Sequence, residues 1–463
     1  MPVPRYGHGP SLLDGWLPWT VQALVLLLLL LAVGRRSGRF RRRRLPIVVV
    51  LGAAGALGAW LSFRGSGLAS DPAPLLLWVW VGLTVAAVAL VVVGWPGARW
   101  WRRTVSVLVV PLCVLCVGVV LNQWVGYVTT VSEGWGEVTA GPLPDQIEAD
   151  QLASLRGNPT ATGHVVPVSI PATGSGFAHR EEYVWLPPAW FTGSTPLPVV
   201  MMIAGEFNTP ADWMRIGDAE GVADAYAAAH GGVAPILVFV DAGGTFNNDT
   251  ECVDGPRGAA ADHLTRDVVP YVEQHFGASS DPRQWGVVGW SMGGTCAVDL
   301  AVMHPELVDS FVDIAGDAGP EVGTRDQTIA RLYGGDAAAW ARFDPATVLA
   351  GHPPYPDTAG RFVDSADGPG SPRRPGRPPG GARGPDATDA ADAGVGGRGG
   401  GGATGQELPE AQALCAQATP RGIACAVDTQ PGRHSWPFAS TAFADALPWL
   451  AGRLAAPGSP PTA

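Results

Sequence analysis

The 463-residue sequence contains no lysine. It contains 30 arginines instead. Acidic residues are almost absent from residues 1–130, which hold 12 Arg against only Asp14 and Asp71, whereas the remainder holds 18 Arg against 39 acids. Contacts with nucleic-acid phosphates need clustered Lys or Arg. The acidic remainder therefore argues against nucleic acid as a partner, and the chain divides into a basic, apolar front and an acidic back.

Charged residues are also missing from the interiors of four apolar runs in the front, residues 16–34, 45–63, 73–95 and 104–128. Each run is long enough to cross a hydrocarbon core of about 30 Å, and several Trp residues lie near the expected interfaces, as in an aromatic belt. We therefore predict an integral membrane region with four helices over residues 1–130, followed by a linker over 131–159. A transporter or channel is disfavoured, because such proteins usually carry acids or bases within their spans.

The arginines between these runs predict an orientation. The first connector contains "RRSGRFRRRR" and the third "PGARWWRRT", whereas the second, "RGSGLASDPAP", carries one Arg and one Asp. The positive-inside rule puts the first and third connectors in the cytoplasm, so the N-terminus and everything after residue 130 should lie outside. A cleaved signal peptide fits the first run poorly, because its Arg cluster follows the apolar segment.

The positions of the six cysteines agree with an extracytoplasmic location of the residues after 130. Cys113 and Cys116 lie in the fourth run and are expected to be inert lipid-facing or packing thiols. The other four lie where disulfides persist, and four cysteines allow three pairings. We favour Cys415 with Cys425, which would close a short loop, and Cys252 with Cys296.

From residue 160 onward, apolar β-rich runs such as "LPVVMMIAG" and "QWGVVGW" alternate with helical patterns. This alternation indicates βαβ units and a mostly parallel sheet, that is, an α/β fold. "HVVPVSI" and "REEYVWLP" predict a leading antiparallel pair. We predict a catalytic α/β domain over residues 160–457, interrupted at 368–406 by a Gly/Pro/Arg-rich insertion that cannot bury a core and is expected to be disordered.

The stretch "GVVGWSMGGTCA" places Ser291 between an apolar strand and a helix, with glycines at positions 289 and 293. A nucleophile elbow needs this strand, a sharp turn with small flanking residues, and a helix that begins directly after the serine. The partners should follow in the order serine, acid, histidine. His434, on the loop between the last strand and the last helix, is the expected general base.

Two acids end the strand candidate "GRFVDSAD", and we favour Asp367 because it lies beyond the last apolar residue. Because side chains alternate between the two faces along a strand, Asp364 would point towards a sheet face near the edge of the protein. Asp386, within the insertion, is the alternative candidate for the triad acid. The oxyanion hole needs two backbone N–H groups, which we assign to Met292 and, at the turn after "VVMMIAG", to Glu206.

These residues resemble the esterase-D-type α/β-hydrolases, a group that includes S-formylglutathione hydrolases and antigen 85 mycolyltransferases. The likeness rests on "QWGVVGWSMGGTCAVDLAVMHPELVDSFVDIAG", on "WARFDP" at residues 340–345 and on "GRHSWPF", and covers about residues 160–455. It implies an α/β-hydrolase fold, chemistry through an acyl-serine without a metal or organic cofactor, and the roles of Ser291, His434 and Met292. Ala204-Gly205 stands where many such esterases have His-Gly.

Together these features predict a membrane-anchored, extracytoplasmic serine esterase or acyltransferase. Its substrate would be an ester or other acyl donor, with lipid or glycolipid esters of the cell envelope as candidates. The alternative is a hydrolase-like domain that binds without catalysing, since Glu206 is an unusual residue at an oxyanion turn.

Overall fold

The computed structural model describes residues 10–34, 38, 40–66, 73–96, 98–128, 130–131, 134, 141–366, 407–432 and 434–455. The predicted insertion at 368–406 lies outside the described residues.

The front contains four long apolar helices, α1 (Trp16–Val33), α2 (Leu45–Ser66), α3 (Leu75–Gly94) and α4 (Trp100–Val125). A single π-helical turn, Phe40–Arg44, precedes α2. All four are long and apolar enough to cross a membrane. Apolar side chains cover their outer surface, and Leu30 and Val92 are 69% and 70% exposed. Such a surface is stable in hydrocarbon and unfavourable in water.

Small residues and one polar pair hold these helices together. A Cβ on Gly52 of α2 would lie 2.8 Å from the carbonyl oxygen of Gly82 in α3, so glycine permits this close approach. The indole of Trp80 in α3 donates a buried hydrogen bond of 2.8 Å to the side chain of Gln22 in α1. Cys113 and Cys116 are fully buried between the helices, so they are packing thiols and do not face lipid.

The Arg-rich connectors and the remainder of the chain lie at opposite ends of the helices. At one end the guanidinium of Arg44 donates to the carbonyl oxygen of Val93, 3.2 Å away. At the other end Arg331, far along the chain, donates to the carbonyl oxygen of Arg64 at 3.2 Å. Leu13, just before α1, also lies at this second end, where its carbonyl oxygen accepts a hydrogen bond from the side chain of Gln123.

The remainder is built on an eight-stranded sheet. Its strands are β1 (His164–Val168), β2 (Glu182–Leu186), β3 (Val199–Ile203), β4 (Ile236–Val240), β5 (Trp285–Trp290), β6 (Ser310–Ile314), β7 (Ala359–Ser365) and β8 (Ala424–Gln430). They lie in the order β1-β2-β4-β3-β5-β6-β7-β8. β1 and β2 form the predicted antiparallel pair, β2 is antiparallel to β4, and all remaining neighbours are parallel.

Helices cover both faces of this sheet, which explains why β3 and β4 are continuous apolar runs with every residue buried. The longer helices are α5 (Ala219–Ala229), α6 (Val269–Phe276), α7 (Met292–Met303), α8 (Arg325–Leu332), α9 (Glu407–Ala418) and α10 (Trp436–Leu454). One core contains α6 and α7, and the other contains α5 and α10. The result is an α/β-hydrolase fold, as predicted.

Short elements fill the connections. The helices among them are Leu152–Leu155, Pro188–Thr192, Asp212–Arg215, Ala260–Asp262, Ala337–Phe343 and Pro345–Gly351. Single 3-10 turns span Ala149–Gln151, Pro282–Gln284 and Thr419–Arg421, a π-helical turn spans His263–Val268, and Asp254–Gly255 pairs with Gly258–Ala259 in a small hairpin. Of these, Asp212–Arg215 lies next to the site described below.

Candidate active site

Ser291 lies on a strained turn between β5 and α7. Its backbone has φ 57° and ψ −123°, a conformation that L residues rarely adopt. The glycines of the motif are required by space, because a Cβ on Gly289 would overlap the carbonyl oxygen of Gly293 at 1.6 Å. A Cβ on Gly293 would lie 2.2 Å from the oxygen of Ile203. This strand, turn and helix have the geometry of a nucleophile elbow.

The turn after β3 lies directly against this serine. A Cβ on Gly205 would be 3.0 Å from the Cβ of Ser291 and 3.2 Å from the carbonyl oxygen of Trp290. Glu206 and Met292, the two sequence-predicted oxyanion residues, both line one small cleft beside this turn. Met292 is also the first residue of α7, where backbone N–H groups lack partners within the helix and can stabilise negative charge.

Asn208 fixes the shape of this turn, residues 205–209. Its side-chain amide donates to the carbonyl oxygen of Glu206 at 2.8 Å, and its side-chain oxygen accepts from the indole of Trp436 at 3.0 Å. The guanidinium of Arg180 donates to the Asn208 carbonyl oxygen at 2.8 Å and to both carboxylate oxygens of Asp241. The pKa of Asp241 is lowered because Arg180 outweighs the effect of burial. Neither Asn208 nor Arg180 was predicted from the sequence, because neither belongs to a recognisable motif.

His434 lies on the loop between β8 and α10, as predicted, and its ring packs on Trp290 with centroids 4.1 Å apart. Trp290 immediately precedes Ser291, so the imidazole lies next to the elbow. Between these two described residues the structure has no hydrogen bond from Ser291 Oγ to the His434 ring. Catalytic hydrogen bonds are often long before substrate binds, so this geometry does not exclude a general base.

Among the described residues, Glu407 is an acid that lies next to His434, and the sequence-favoured Asp367 is not tested. Asp367 and Asp386 both lie outside the described residues. The Nδ1 atom of His434 is 3.5 Å from an Oε atom of Glu407, the first residue of α9. Glu407 is only 7% exposed. The sequence signal for it was weak, an acid that opens a helix directly after the insertion.

Asp364 is the second acid at this site, and its predicted position near the edge of the protein is wrong. It is 2% exposed within β7, because β6 and β8 flank that strand on both sides. Burial raises its pKa to about 7, and the nearby Glu407 adds to this rise while His434 opposes it. Asp313 on β6 is equally buried, and burial together with Asp364 raises its pKa well above the usual range.

The only grouping of described residues with metal-ligand spacing contains His179, Glu182 and His263. Both ring nitrogens of His179 lie against carbonyl oxygens, at 2.7 Å from Ile170 and 2.8 Å from Arg180. Each ring nitrogen of His179 therefore already has a carbonyl oxygen as its neighbour. His263 bridges Glu182 and Asp267, and these carboxylates outweigh burial and raise its pKa. This cluster is best described as a buried ionic network behind Arg180.

Two disulfides lie near these elements. Cys252 pairs with Cys296 and thereby joins the loop after β4 to α7, behind Ser291. Cys415 pairs with Cys425 and joins α9 to β8. Both pairings are those favoured from the sequence, and each ties a segment that carries a candidate site residue to its neighbour.

The strands, the elbow and the covering helices form an α/β-hydrolase fold, and comparisons with known proteins agree with it. Residues 179–352 match the family model described as "Putative esterase". An uncharacterised protein of Corynebacterium glutamicum is 36% identical over 208 residues, which cover 42% of this chain. The matched region spans 49% of that relative, about half its length.

Solved structures that are similar to this chain include the following three. An S-formylglutathione hydrolase from Agrobacterium tumefaciens is 20% identical, covers 64% of this chain and 98% of its own, and has a TM-score of 0.45. The fluorophosphonate-binding serine hydrolase F of Staphylococcus aureus is 14% identical, with coverages of 63% and 99% and a TM-score of 0.46. MPT51 of Mycobacterium tuberculosis is 15% identical, with coverages of 62% and 98% and a TM-score of 0.41.

Proposed function

We propose that this protein is a membrane-anchored, extracytoplasmic serine hydrolase or acyltransferase that acts on carboxylic esters. The observation that carries the proposal is the strained Ser291 turn, with Gly205 pressed against the serine and His434 packed beside it. Strain of this kind persists in proteins where the surrounding structure enforces it, and it is concentrated at active sites. The esterase-family match over residues 179–352 supports the same chemistry.

The proposed reaction has two acyl-transfer steps. The imidazole of His434 accepts the proton of the Ser291 hydroxyl as the oxygen attacks the ester carbonyl. Backbone N–H groups of Met292 and the turn at Glu206 stabilise the oxyanion. Collapse of the tetrahedral intermediate releases the alcohol, which takes the proton from His434 and leaves an acyl-serine. Water or a second alcohol then attacks the acyl-serine with His434 again as base, and the serine is regenerated.

Glu407 is the acid that we propose beside His434. Its carboxylate faces Nδ1, the ring nitrogen on the side from which a triad acid orients the imidazole and stabilises the imidazolium. Asp364, whose pKa is raised to about 7, is less suited to this role because about half of it is protonated at pH 7. The sequence-favoured Asp367 stays the alternative.

Location supports an ester donor that resides in the membrane. The site lies at the end of the apolar helices opposite the Arg-rich connectors, since Gly126 at the end of α4 lies against His434. The positive-inside rule places those connectors in the cytoplasm and the site outside. Lipid or glycolipid esters of the cell envelope are therefore the proposed substrate class.

Labelling of intact cells with a membrane-impermeant fluorophosphonate tests both the nucleophile and the orientation. We expect the wild-type protein to be labelled and Ser291→Ala to remain unlabelled, with Ser154→Ala, an exposed serine on a short helix, as the matched control. Purified Ser291→Ala should also lose hydrolysis of p-nitrophenyl butyrate without a change in thermal unfolding. Esterase activity that survives in Ser291→Ala would refute the assignment. Labelling only after the cells are opened would refute the orientation.

A further inference from the structure

The fourth apolar helix ends in a rigid cap. Gly126 adopts the left-handed conformation, with φ 72°, and its N–H donates to the carbonyl oxygen of Asn122 at 2.7 Å. The side chain of Asn122 then forms two hydrogen bonds of 2.7 Å with the backbone N–H and carbonyl oxygen of Val128. The chain that leaves the membrane helix is therefore held to its last turn, and Tyr127 lies between these anchored residues.

This cap contacts the segment that carries the catalytic histidine. A Cβ on Gly126 would lie 3.0 Å from the carbonyl oxygen of His434 and 3.3 Å from the Cβ of Ser435. The neighbouring Trp436 donates to the side chain of Asn208, which links the His434 segment to the oxyanion turn. The end of α4 therefore lies against one of the two segments that complete the site.

Tyr127 reaches the other segment. Its hydroxyl donates a 2.8 Å hydrogen bond to one carboxylate oxygen of Asp212, which is 2% exposed. The second oxygen of Asp212 accepts from the backbone N–H of Thr209 at 2.5 Å, at the end of the oxyanion turn. Burial raises the pKa of Asp212, whereas the hydrogen bonds from Thr209 and Tyr127 oppose this rise. The carboxylate is thus clamped between the membrane helix and the turn.

We infer that Tyr127 is a positioning residue, through which α4 holds the oxyanion turn against Ser291 by way of Asp212. This inference rests on the proposed function, because the turn matters only if an oxyanion forms beside Ser291. The hydroxyl does not touch substrate, so its effect is expected on the transition state and not on substrate binding. A shift of the turn by about 1 Å can cost roughly a hundredfold in rate.

The test uses the full chain in detergent and the variant Tyr127→Phe, which removes only the hydroxyl. We expect kcat for p-nitrophenyl butyrate to fall ten- to a hundredfold, with KM changed less than twofold and thermal unfolding nearly unchanged. Tyr271→Phe, on α6 with its ring stacked on His275, is the matched control and should keep wild-type kinetics. A Tyr127→Phe variant within twofold of wild-type kcat, or one that changes only KM, would overturn the inference.

A double-mutant cycle tests whether the effect passes through Asp212. If it does, Tyr127→Phe should cause no further loss of kcat in an Asp212→Ala background, whereas losses that multiply would contradict the inference. Fluorophosphonate labelling separates this question from the proposed function. Wild-type protein that resists the probe would refute the nucleophile itself. Wild-type and Tyr127→Phe proteins that react at equal rates would refute only the role of Tyr127.

Discussion

Replacement of Glu407 by glutamine keeps the size of the side chain and removes its charge, so it tests the acid that the structure places beside His434. The carboxylate oxygen lies 3.5 Å from Nδ1, and both side chains are mostly buried, at 9% and 27% exposure. At an effective dielectric constant of about 20, unit charges at this distance attract by about 5 kcal/mol. The imidazolium forms only during reaction, so most of this energy is available to lower the barrier.

A loss of about 5 kcal/mol corresponds to a fall of roughly three to four orders of magnitude in kcat. The assay is steady-state hydrolysis of p-nitrophenyl butyrate by purified full-length protein at pH 7.5, with thermal unfolding as the check on folding. KM should change little, because the charge of Glu407 stabilises the imidazolium and not the bound ester.

The matched controls are Asp364→Asn, the buried neighbour, and Asp367→Asn and Asp386→Asn, the acids considered from the sequence. We expect Asp364→Asn to retain at least a tenth of wild-type turnover, since much of Asp364 is already neutral near pH 7. If Glu407→Gln keeps turnover within tenfold of wild type while one of the other three falls a thousandfold, the assignment of Glu407 is wrong. The roles of Ser291 and His434 would survive that result.

Two further predictions concern stability. The pKa of Asp364 rises from 3.8 to about 7 on folding, so the stability that comes from its protonated form is fully present below about pH 4 and is lost as the pH rises through 7. Asp364→Asn should therefore stabilise the protein more at pH 8 than at pH 5 in urea unfolding, and the difference between the two pH values should be at most about 3 kcal/mol. An equal shift at both pH values would contradict this. The disulfides should differ because their loops span 44 and 10 residues. Alanine at both Cys252 and Cys296 should lower the free energy of unfolding by about 4 kcal/mol, against about 3 kcal/mol for Cys415 and Cys425, and the reverse order would refute the chain-entropy account.

Patterns formed by residues close together in the sequence predicted most of the helices, the strands and the Ser291 turn. The four apolar runs, the strands and the Ser291 turn all depend on residues close together in the chain, and each is present in the structure. His434 could be placed because it follows the last strand directly. In each case periodicity or glycine spacing carries the structural information locally.

The acid could not be placed in the same way. The alternation of side chains along "RFVDSAD" indicates which residues share a face of the sheet. It does not reveal that strands pair with β7 on both sides and so bury Asp364. Glu407 follows an insertion whose length hides its relation to β7, so no spacing rule connects it to His434. Tyr127 and Asp212 lie 85 residues apart, and neither belongs to a motif. Contacts of this kind depend on tertiary packing and leave no periodic signal.

The site is assembled from segments that belong to separate parts of the chain. The sheet and α7 supply the elbow at Ser291, whereas the His434 loop contacts the end of α4 and the turn at residues 205–209 is joined to Tyr127 through Asp212. A hydrolase region without the apolar helices would therefore retain its nucleophile but lose the partner of Asp212, leaving one oxygen of a buried carboxylate without its donor. Such an unsatisfied group costs about 1–3 kcal/mol, or more when it is charged, and movement of the turn towards water would relieve that cost. We therefore propose that the apolar helices act on the chemistry as well as on location, because Tyr127, just after α4, is joined through Asp212 to the turn beside Ser291.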